Sequence, residues 1–228
     1  MIGFPPKGNS VKEKVLNNII DKIQYLELAP GEIINENSFE GDIGASRTPR
    51  REAMMLLEME GLVNIYPQKG TYVALIDLKL IREIIYLRLT LETKIFTELA
   101  EMKTPVMQYV EKFLLIQELS AKNNDFVEFV KNDYLFHREL FKLAGHIEVW
   151  NIIEGKLIHC TRFRVLGWKT VREEFNLMLS EHKKISESIE SGNIESLKSV
   201  LESHHDYNLK RYADILIKNN PEFFTRQS

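Results

Sequence analysis

Strand-like alternation of hydrophobic and polar residues is confined to residues 62–76, and elsewhere the hydrophobic residues recur at helical intervals. Within that stretch Val63 and Ile65 alternate with polar residues, and the same alternation follows the turn. The tetrapeptide PQKG at 67–70 separates the two runs and favours a turn. The sequence therefore predicts one two-stranded hairpin in a fold that is otherwise mainly α.

Before the hairpin, hydrophobic residues recur every three or four positions, which is the spacing of amphipathic helices. The first such segment is 10–26. Pro30 and Gly31 follow it and prevent its continuation, because Pro lacks an N–H and Gly accepts a left-handed turn. We predict a short helix at 36–42 and a third at 47–59. Three short helices followed by a hairpin outline a winged helix-turn-helix.

From Asp77 onward the pattern is helical without interruption by strands. The predicted helices cover 78–102, 105–119, 124–144, 147–166, 171–191 and 194–217. The sequence thus predicts two domains, a winged helix over 1–76 and an all-helical bundle over 77–228, joined without a flexible linker. The final residues, NNPEFFTRQS, are expected to be loosely held, as chain termini often are.

The composition points to an ordinary globular protein. Hydrophobic residues make up 44% of the chain, enough for the cores of two domains. No apolar run approaches the roughly 18 residues of a membrane span, and the start lacks the apolar stretch of a secretory signal. Cys160 is the one cysteine, so an internal disulfide is impossible and a reducing compartment fits. We expect a cytoplasmic protein with no membrane partner.

Arg47, Arg50 and Arg51 form a local basic cluster, although residues 1–78 as a whole carry more acidic than basic side chains. The three arginines lie at the start of the third predicted helix. Such a helix start suits the major groove, because backbone N–H groups meet phosphate and guanidinium groups meet guanine. A solvated basic turn of a small helical domain is the competing interpretation.

The segment GASRTPRREAMMLLEMEGLVNIYPQKGTYVA, residues 44–74, resembles the signature of the GntR family of bacterial regulators. Pro30, Gly31, Glu32 and Glu36 also stand where that family has them. The resemblance implies a homodimer that binds a pseudo-palindromic operator with two recognition helices. Together with the basic cluster, the implied DNA contacts at the start of the recognition helix and at the wing tip are Arg47, Thr48, Arg50, Arg51, Gln68, Lys69 and Gly70.

The sequence departs from the family pattern at four positions, three of them within this segment. Ala45, Arg50 and Met54 stand where the family has Val, an apolar residue and Leu. Asn37 stands where relatives often carry a basic residue that contacts phosphate, so this chain lacks the charge for that contact. The module as a whole is unaffected by these departures.

Helical geometry can gather three of the six histidines around an aspartate. Asp133 and His137 are four residues apart on one predicted helix and so share a face. One carboxylate oxygen and three imidazoles suit zinc, nickel, cobalt, manganese or iron(II), and an octahedral ion would keep two positions for water or a carboxylate. Isolated histidines on the surface or in the core are the competing interpretation.

The other two histidines of the set lie on either side of a predicted turn at Gly192 and Asn193. His182 lies 10 residues before Gly192 and His204 lies 11 after Asn193, so both come level across an antiparallel helix pair. His205 is rotated by about 100° from His204 along the helix and would face elsewhere.

Residues 78–217 resemble the FCD ligand-binding domain that many GntR regulators carry. The matching pieces are Arg88-x-x-x-Glu92, Asp133-x-x-x-His137, Glu181-His182 and the Gly192-Asn193 turn that leads to His204. The resemblance implies that Asp133, His137, His182 and His204 hold a divalent metal ion such as zinc, nickel, manganese or iron.

A metal with open positions implies a small organic acid as the effector, bound through its carboxylate. Arg88 is the first candidate to neutralise that carboxylate, by its family position. Arg162 is another, because its helix is expected to line the same cavity. Salt bridges on the surface or with Glu92 are the alternative for these arginines.

The sequence therefore predicts a DNA-binding transcriptional repressor whose operator affinity depends on a metal-bound carboxylate, with no catalytic residues. A metal-dependent enzyme that uses the Asp and three His residues is one alternative, since such a set can activate water. A winged helix that binds protein and not DNA is another. The enzyme leaves the winged helix without a role, and the protein-binding module leaves the Arg47–Arg51 cluster without one.

Overall fold

The computed structural model describes residues 8–35, 44–171 and 175–226, apart from the side chains of 171 and 206–208. The chain divides into two compact units. The first unit comprises Met1–Ile81, Asn151–Leu166 and Asp214–Ser228, and the second comprises Arg82–Trp150 and Gly167–Ala213. The domain boundary between residues 76 and 77 stays a prediction, since both units are discontinuous in sequence.

The first unit contains the winged helix. Its elements are α1 (Val11–Gln24), α2 (Arg47–Met59), β1 (Val63–Tyr66) and β2 (Gly70–Val73). The two strands are antiparallel, and Tyr66 pairs with Gly70 across a turn of three residues. The predicted helix at 36–42 lies outside the described residues. A mainly α fold with one small hairpin is confirmed.

The core of the first unit forms because α1 and α2 each have an apolar face. On α1, Val15, Ile19 and Ile23 are fully buried at four-residue intervals. They share one cluster with Ala53 and Leu57 of α2. The hairpin and the distant segment 151–166 complete this cluster with Leu62, Val63, Val73 and Ile158.

Seven helices follow the hairpin in the described part of the chain. They are α3 (Leu78–Glu101), α4 (Met107–Asn123), α5 (Phe126–Leu143), α6 (Ile147–Ile153), α7 (Leu157–Val171), α8 (Phe175–Ser191) and α9 (Ile194–Asn219). Within the second unit, α4 packs against both α5 and α8. Over the described ranges, no helix has the length and apolar character needed to cross a bilayer.

The prediction of one helix over 147–166 is wrong in two respects. A 3₁₀ turn at Glu154–Lys156 divides it, with Gly155 buried in the turn. The second part then runs through Gly167 to Val171. Val165 and Leu166 are buried just before Gly167, and this packing outweighs the cost of about 1 kcal/mol for a glycine inside a helix.

The expectation of a loosely held C-terminus is also wrong for the described residues. Ile76 forms a parallel bridge with Phe224. Its N–H donates to the Phe223 carbonyl at 2.8 Å, and its carbonyl accepts from the Thr225 N–H at 3.0 Å. The Phe224 side chain is buried. Backbone pairing and burial of this ring therefore fix the tail to the segment that leaves the wing.

Residues 151–166 contact the chain just before and just after the hairpin of the first unit. The ammonium group of Lys156 lies 2.7 Å from Glu60 Oε2, and His159 Nε2 lies 3.0 Å from the Glu60 carbonyl oxygen. The buried Arg162 guanidinium donates from Nη2 to the Ala74 carbonyl at 2.5 Å. Glu60 follows α2 and Ala74 follows β2, so α7 and the turn before it contact the chain at the end of α2 and at the end of the hairpin.

Candidate metal centre and nucleic-acid surface

The start of α2 presents its polar side chains to solvent. Arg47, Thr48 and Arg51 are exposed, whereas Arg50 is 8% exposed. Ser46 occupies the N-cap position with extended backbone but makes no side-chain capping hydrogen bond. The Ser46 side chain therefore does not occupy the N–H groups of this first turn. Phosphate binding at a helix start requires such uncapped N–H groups.

The wing tip is shaped by two residues with positive φ. Gln68 has φ +62° and Gly70 has φ +109°. The positive φ favours glycine at position 70, and a Cβ atom there would also lie 3.2 Å from the end of the exposed Ile33 side chain. Gln68 and Lys69 are exposed at the tip.

A concave surface of about 760 Å³ lies between α2 and the wing. We call it the helix–wing surface. It is lined by Arg47, Arg50, Arg51, Met54, Met55, Glu58, Ile65, Tyr66, Pro67, Gln68, Gly70 and Thr71. Most of the residues expected to contact DNA thus border one surface, while Lys69 and Thr48 are exposed beside it.

In the second unit, Asp133, His137, His182 and His204 converge. One ligand atom from each lies within 4.8 Å of the others. Asp133 and His137 come from α5, His182 from α8 and His204 from α9. We call these four residues the Asp/His cluster. It unites the residues that helical spacing placed together.

Short distances inside the Asp/His cluster join ring nitrogens and one carboxylate oxygen. His182 Nε2 lies 3.2 Å from Asp133 Oδ1. His137 Nε2 and His204 Nε2 lie 3.3 Å apart. Two neutral imidazoles that meet through their Nε2 atoms can share at most one proton. At least one Nε2 lone pair therefore lies between His137 and His204.

Each histidine of the cluster has an acceptor beside its outer nitrogen. His182 Nδ1 lies 2.7 Å from Gln117 Oε1, and His204 Nδ1 lies 3.0 Å from Glu181 Oε2. His137 Nδ1 lies 3.2 Å from Glu92 Oε2. The hydrogen-bonded acceptors beside His182 and His204 favour a ring proton on Nδ1 and an Nε2 lone pair that faces inward, which is the arrangement of metal-ligating histidines. The contact of His137 with Glu92 is an ion-pair separation and not an aligned hydrogen bond.

Glu92 is a fully buried carboxylate with three basic neighbours. Arg88 Nε lies 2.5 Å from its Oε1, and His205 Nε2 lies 2.9 Å from its Oε2. Burial alone would raise the pKa of Glu92, but Arg88, His137 and His205 together hold that pKa well below its usual range. His205 therefore faces Glu92, and it is not one of the four residues of the cluster.

The electrostatics of the Asp/His cluster favour a cation. Burial lowers the pKa of His137 well below its usual range and lowers that of His204 as well. Burial would raise the pKa of Glu181, but its contacts with His204 and Ser203 lower it overall. The carboxylates of Asp133, Glu92 and Glu181 and the guanidinium of Arg88 lie in or beside the cluster. Three imidazoles and a carboxylate oxygen fit a divalent ion.

The two arginines expected to bind the effector lie in different units. Arg88 is in the second unit and pairs with Glu92, which is the alternative role of this side chain. Arg162 is fully buried in the first unit, where it donates to the Ala74 carbonyl. An effector contact of either arginine stays a prediction.

Sequence reasoning missed the outer partners of the histidines. Glu92 and Glu181 belong to recognised motifs, yet their contacts with His137 and His204 were not expected. Gln117 carries no signal in the sequence, because no local spacing links it to His182, 65 positions away. The packing of α4 against α8 brings the two together. The spacing of Arg88 and Glu92, four apart on one helix, was the one available signal for this outer layer.

Protein-family models match both the N-terminal and the C-terminal part of the chain. The FCD domain model matches residues 83–207. The model of bacterial regulatory proteins of the gntR family matches residues 11–73. The chain belongs to the GntR family. This GntR regulator carries an FCD domain, and the matched families and relatives are transcriptional regulators and not enzymes.

Relatives of this GntR regulator match over most of its length. A Streptomyces ambofaciens protein described as an HTH-type transcriptional regulator in an unstable DNA locus is 29% identical, covering 86% of this chain and 83% of the relative. The gluconate operon transcriptional repressor of Bacillus subtilis (strain 168) is 28% identical, covering 71% and 68%. The HTH-type transcriptional repressor RspR of Escherichia coli (strain K12) is 25% identical, covering 85% and 88%.

Solved structures share the fold. Escherichia coli McbR/YncC superposes with a TM-score of 0.76 at 17% identity, over 93% of this chain and 99% of that one. A GntR regulator from Rhodococcus sp. RHA1 gives a TM-score of 0.68 at 20% identity, over 90% and 100%.

Proposed function

We propose that this GntR regulator is a repressor whose operator affinity is lowered by a small carboxylate bound at a divalent metal ion in the FCD domain. The Asp/His cluster carries the proposal, since one ligand atom from each of its four residues lies within 4.8 Å of the others. In this proposal residues 1–76 bind DNA and residues 77–228 bind the effector and the second subunit of a homodimer.

The helix–wing surface supports the DNA-binding part of the proposal. Arg47, Thr48 and Arg51 are exposed at the start of α2, where side chains can reach base edges and N–H groups can meet phosphate. Gln68 and Lys69 are exposed at the wing tip and suit contacts to the neighbouring backbone or minor groove. A homodimer would place two such surfaces on the two halves of a pseudo-palindromic operator.

Asp133, His137, His182 and His204 would hold the metal ion, while Glu92, Gln117 and Glu181 orient the three rings. A divalent ion bound there supplies open coordination positions at which a carboxylate oxygen can bind. Arg88 pairs with Glu92 and is 12% exposed in its side chain, so it can offset part of the effector's charge as well.

The names of two relatives support the repressing sense of regulation. The Bacillus subtilis relative is a gluconate operon repressor and the Escherichia coli relative is also named a repressor. Sugar acids such as gluconate, which have a carboxylate beside hydroxyl groups, are therefore the first compounds to test as effectors.

Metal analysis and operator binding test the proposal together. Protein purified without chelator should contain one divalent ion per chain, and a thermal-shift screen of sugar acids should find a stabilising carboxylate. That carboxylate should release operator DNA in a gel-shift assay. The His204→Ala variant should lose both the metal and the response, whereas His146→Ala, which alters a histidine outside the Asp/His cluster, should keep both.

The proposal fails if the purified wild-type protein contains no metal and binds none of zinc, nickel, manganese or iron(II). Its regulatory part fails separately if a carboxylate binds at the metal and operator affinity stays the same. A ligand that binds two states equally cannot shift the equilibrium between them.

A further inference from the structure

Gln117 is the uncharged member of the outer layer of the Asp/His cluster. It lies on α4, is fully buried, and its Oε1 is 2.7 Å from Nδ1 of the equally buried His182. Its Nε2 has no hydrogen-bond partner among the residues the structure describes. Burying an amide nitrogen without a partner is unfavourable, so the contribution of this side chain rests on its oxygen.

We infer that Gln117 is a positioning residue that fixes His182 as an Nε2 ligand and sets the charge of the metal site. The inference rests on the proposed metal site. A carbonyl oxygen only accepts hydrogen bonds, so it requires the proton of neutral His182 to be on Nδ1. The Nε2 lone pair then points toward Asp133 Oδ1, 3.2 Å away, and into the Asp/His cluster.

The contrast with the other two histidines gives Gln117 its second role. Carboxylates occupy the corresponding places beside His137 and His204. Glutamate at position 117 would orient His182 equally well but would add a third carboxylate beside the histidines. With glutamine, an incoming carboxylate meets one negative charge fewer at the site. Gln117 therefore favours an anionic ligand at the metal.

Two substitutions at position 117 separate orientation from charge in the full-length protein. Gln117→Leu keeps a similar volume but has no acceptor, and Zn²⁺ affinity measured by calorimetry should fall about 10- to 100-fold. Gln117→Glu restores an acceptor, and Zn²⁺ affinity should equal or exceed that of the wild type. Gln108→Leu, an exposed position on the same helix, is the matched control and should leave Zn²⁺ affinity unchanged.

The charge role is measured with acetate as the probe carboxylate. In the Co²⁺-loaded proteins, acetate should shift the visible absorption bands of the metal. The acetate midpoint of Gln117→Glu should rise several-fold above that of the wild type. Equal midpoints would overturn the charge role, and a weaker Zn²⁺ affinity in Gln117→Glu than in Gln117→Leu would overturn the orientation role.

The ring tautomer supplies a readout that needs no metal. In metal-free Asp133→Ala, which removes the competing acceptor beside Nε2, ¹⁵N chemical shifts should place the His182 proton on Nδ1, and adding Gln117→Leu should abolish this preference. Asp133→Ala distinguishes a failure of the proposed metal site from a failure of the inference about Gln117. If Asp133→Ala and Gln117→Leu both keep wild-type Zn²⁺ affinity, the proposed metal site is wrong. If Asp133→Ala abolishes binding and Gln117→Leu does not weaken it, the metal site stands and the inference about Gln117 is overturned.

Discussion

The helix–wing surface and the Asp/His cluster differ in how their side chains are held. Arg47 and Arg51 are exposed, and in our proposal DNA supplies their binding partners. His137 and His182 are fully buried, and their outer nitrogens already face acceptors. Substitution of an exposed residue leaves the fold intact and lowers only the affinity for the binding partner. A buried set couples each side chain to its neighbours, so a substitution there changes both the site and the surrounding packing.

Loss of one histidine of the Asp/His cluster should give the largest effect. His182→Ala should weaken divalent metal binding on the order of 100-fold or more, about 3 kcal/mol, since one of four ligands is gone. Operator affinity measured without effector should stay within twofold, because the helix–wing surface lies in the other unit. Calorimetry with Zn²⁺ and fluorescence anisotropy with operator DNA test the two halves. A fall in operator affinity without effector would break the separation of the two sites.

Local sequence patterns grouped the exposed residues of the helix–wing surface more completely than the buried residues around the Asp/His cluster. The start of α2 and the turn before Gly70 are each formed by consecutive residues, so local sequence patterns predicted both. The four-residue spacing of Asp133 and His137 predicted that they share a helix face. The turn at Gly192, where φ is +71°, predicted that His182 and His204 lie level with each other.

The partners that depend on tertiary packing could not be read from local patterns. Gln117 reaches His182 only because α4 packs against α8. Phe224 is fixed by pairing with Ile76, which is far away in sequence. The helix end predicted at Gly167 from its glycine was also wrong, since Gly167 continues a helix that its buried neighbours stabilise.

A pH titration of stability should reveal a buried histidine of the first unit. His159 is 5% exposed, and burial lowers its pKa from 6.5 to about 4. The unfolded chain therefore takes up a proton on this ring at a higher pH than the folded chain does. Its stabilising contribution is complete above about pH 6.5 and is lost as the pH falls toward 4, by at most about 3 kcal/mol.

Urea unfolding followed by circular dichroism checks this pH dependence. The curve of unfolding free energy against pH should be flatter for His159→Asn than for the wild type between pH 6.5 and 4, with chelator present in both. The histidines of the Asp/His cluster contribute to both curves and cancel in the difference. Parallel curves would contradict a neutral, buried His159.

Substitutions on the helix–wing surface should give intermediate effects on affinity alone. Arg47→Ala and Arg51→Ala should each lose about 1–3 kcal/mol of operator affinity if the side chain reads a base. Their unfolding free energies should change by less than about 0.5 kcal/mol because both side chains are exposed. Arg82→Ala, an exposed arginine outside this surface, is the control. Unchanged operator affinity in both Arg47 and Arg51 variants would remove the start of α2 from the DNA interface.

Arg50 should behave unlike its two neighbours, which sharpens the contrast between exposed and buried residues within one helix turn. It is 8% exposed, so Arg50→Ala should lower the unfolding free energy as well as any DNA affinity. Measuring both quantities for the three arginine variants separates a contact with DNA from a contribution to the fold. An Arg50→Ala protein with wild-type stability would show that this buried arginine acts only through DNA.

The smallest effect is expected for the ion pair between Lys156 and Glu60. The two groups lie 2.7 Å apart, with side chains 42% and 26% exposed, so solvent screens their attraction. A double-mutant cycle with Lys156→Met and Glu60→Gln should give a coupling of about 0.2–1 kcal/mol in unfolding free energy, smaller still in 1 M salt. The His159 contact with the Glu60 carbonyl, which the cycle leaves intact, should then be the stronger attachment of α7 to the end of the recognition helix. A coupling above about 2 kcal/mol that resists salt would mean that this exposed pair behaves like the buried groups around Glu92.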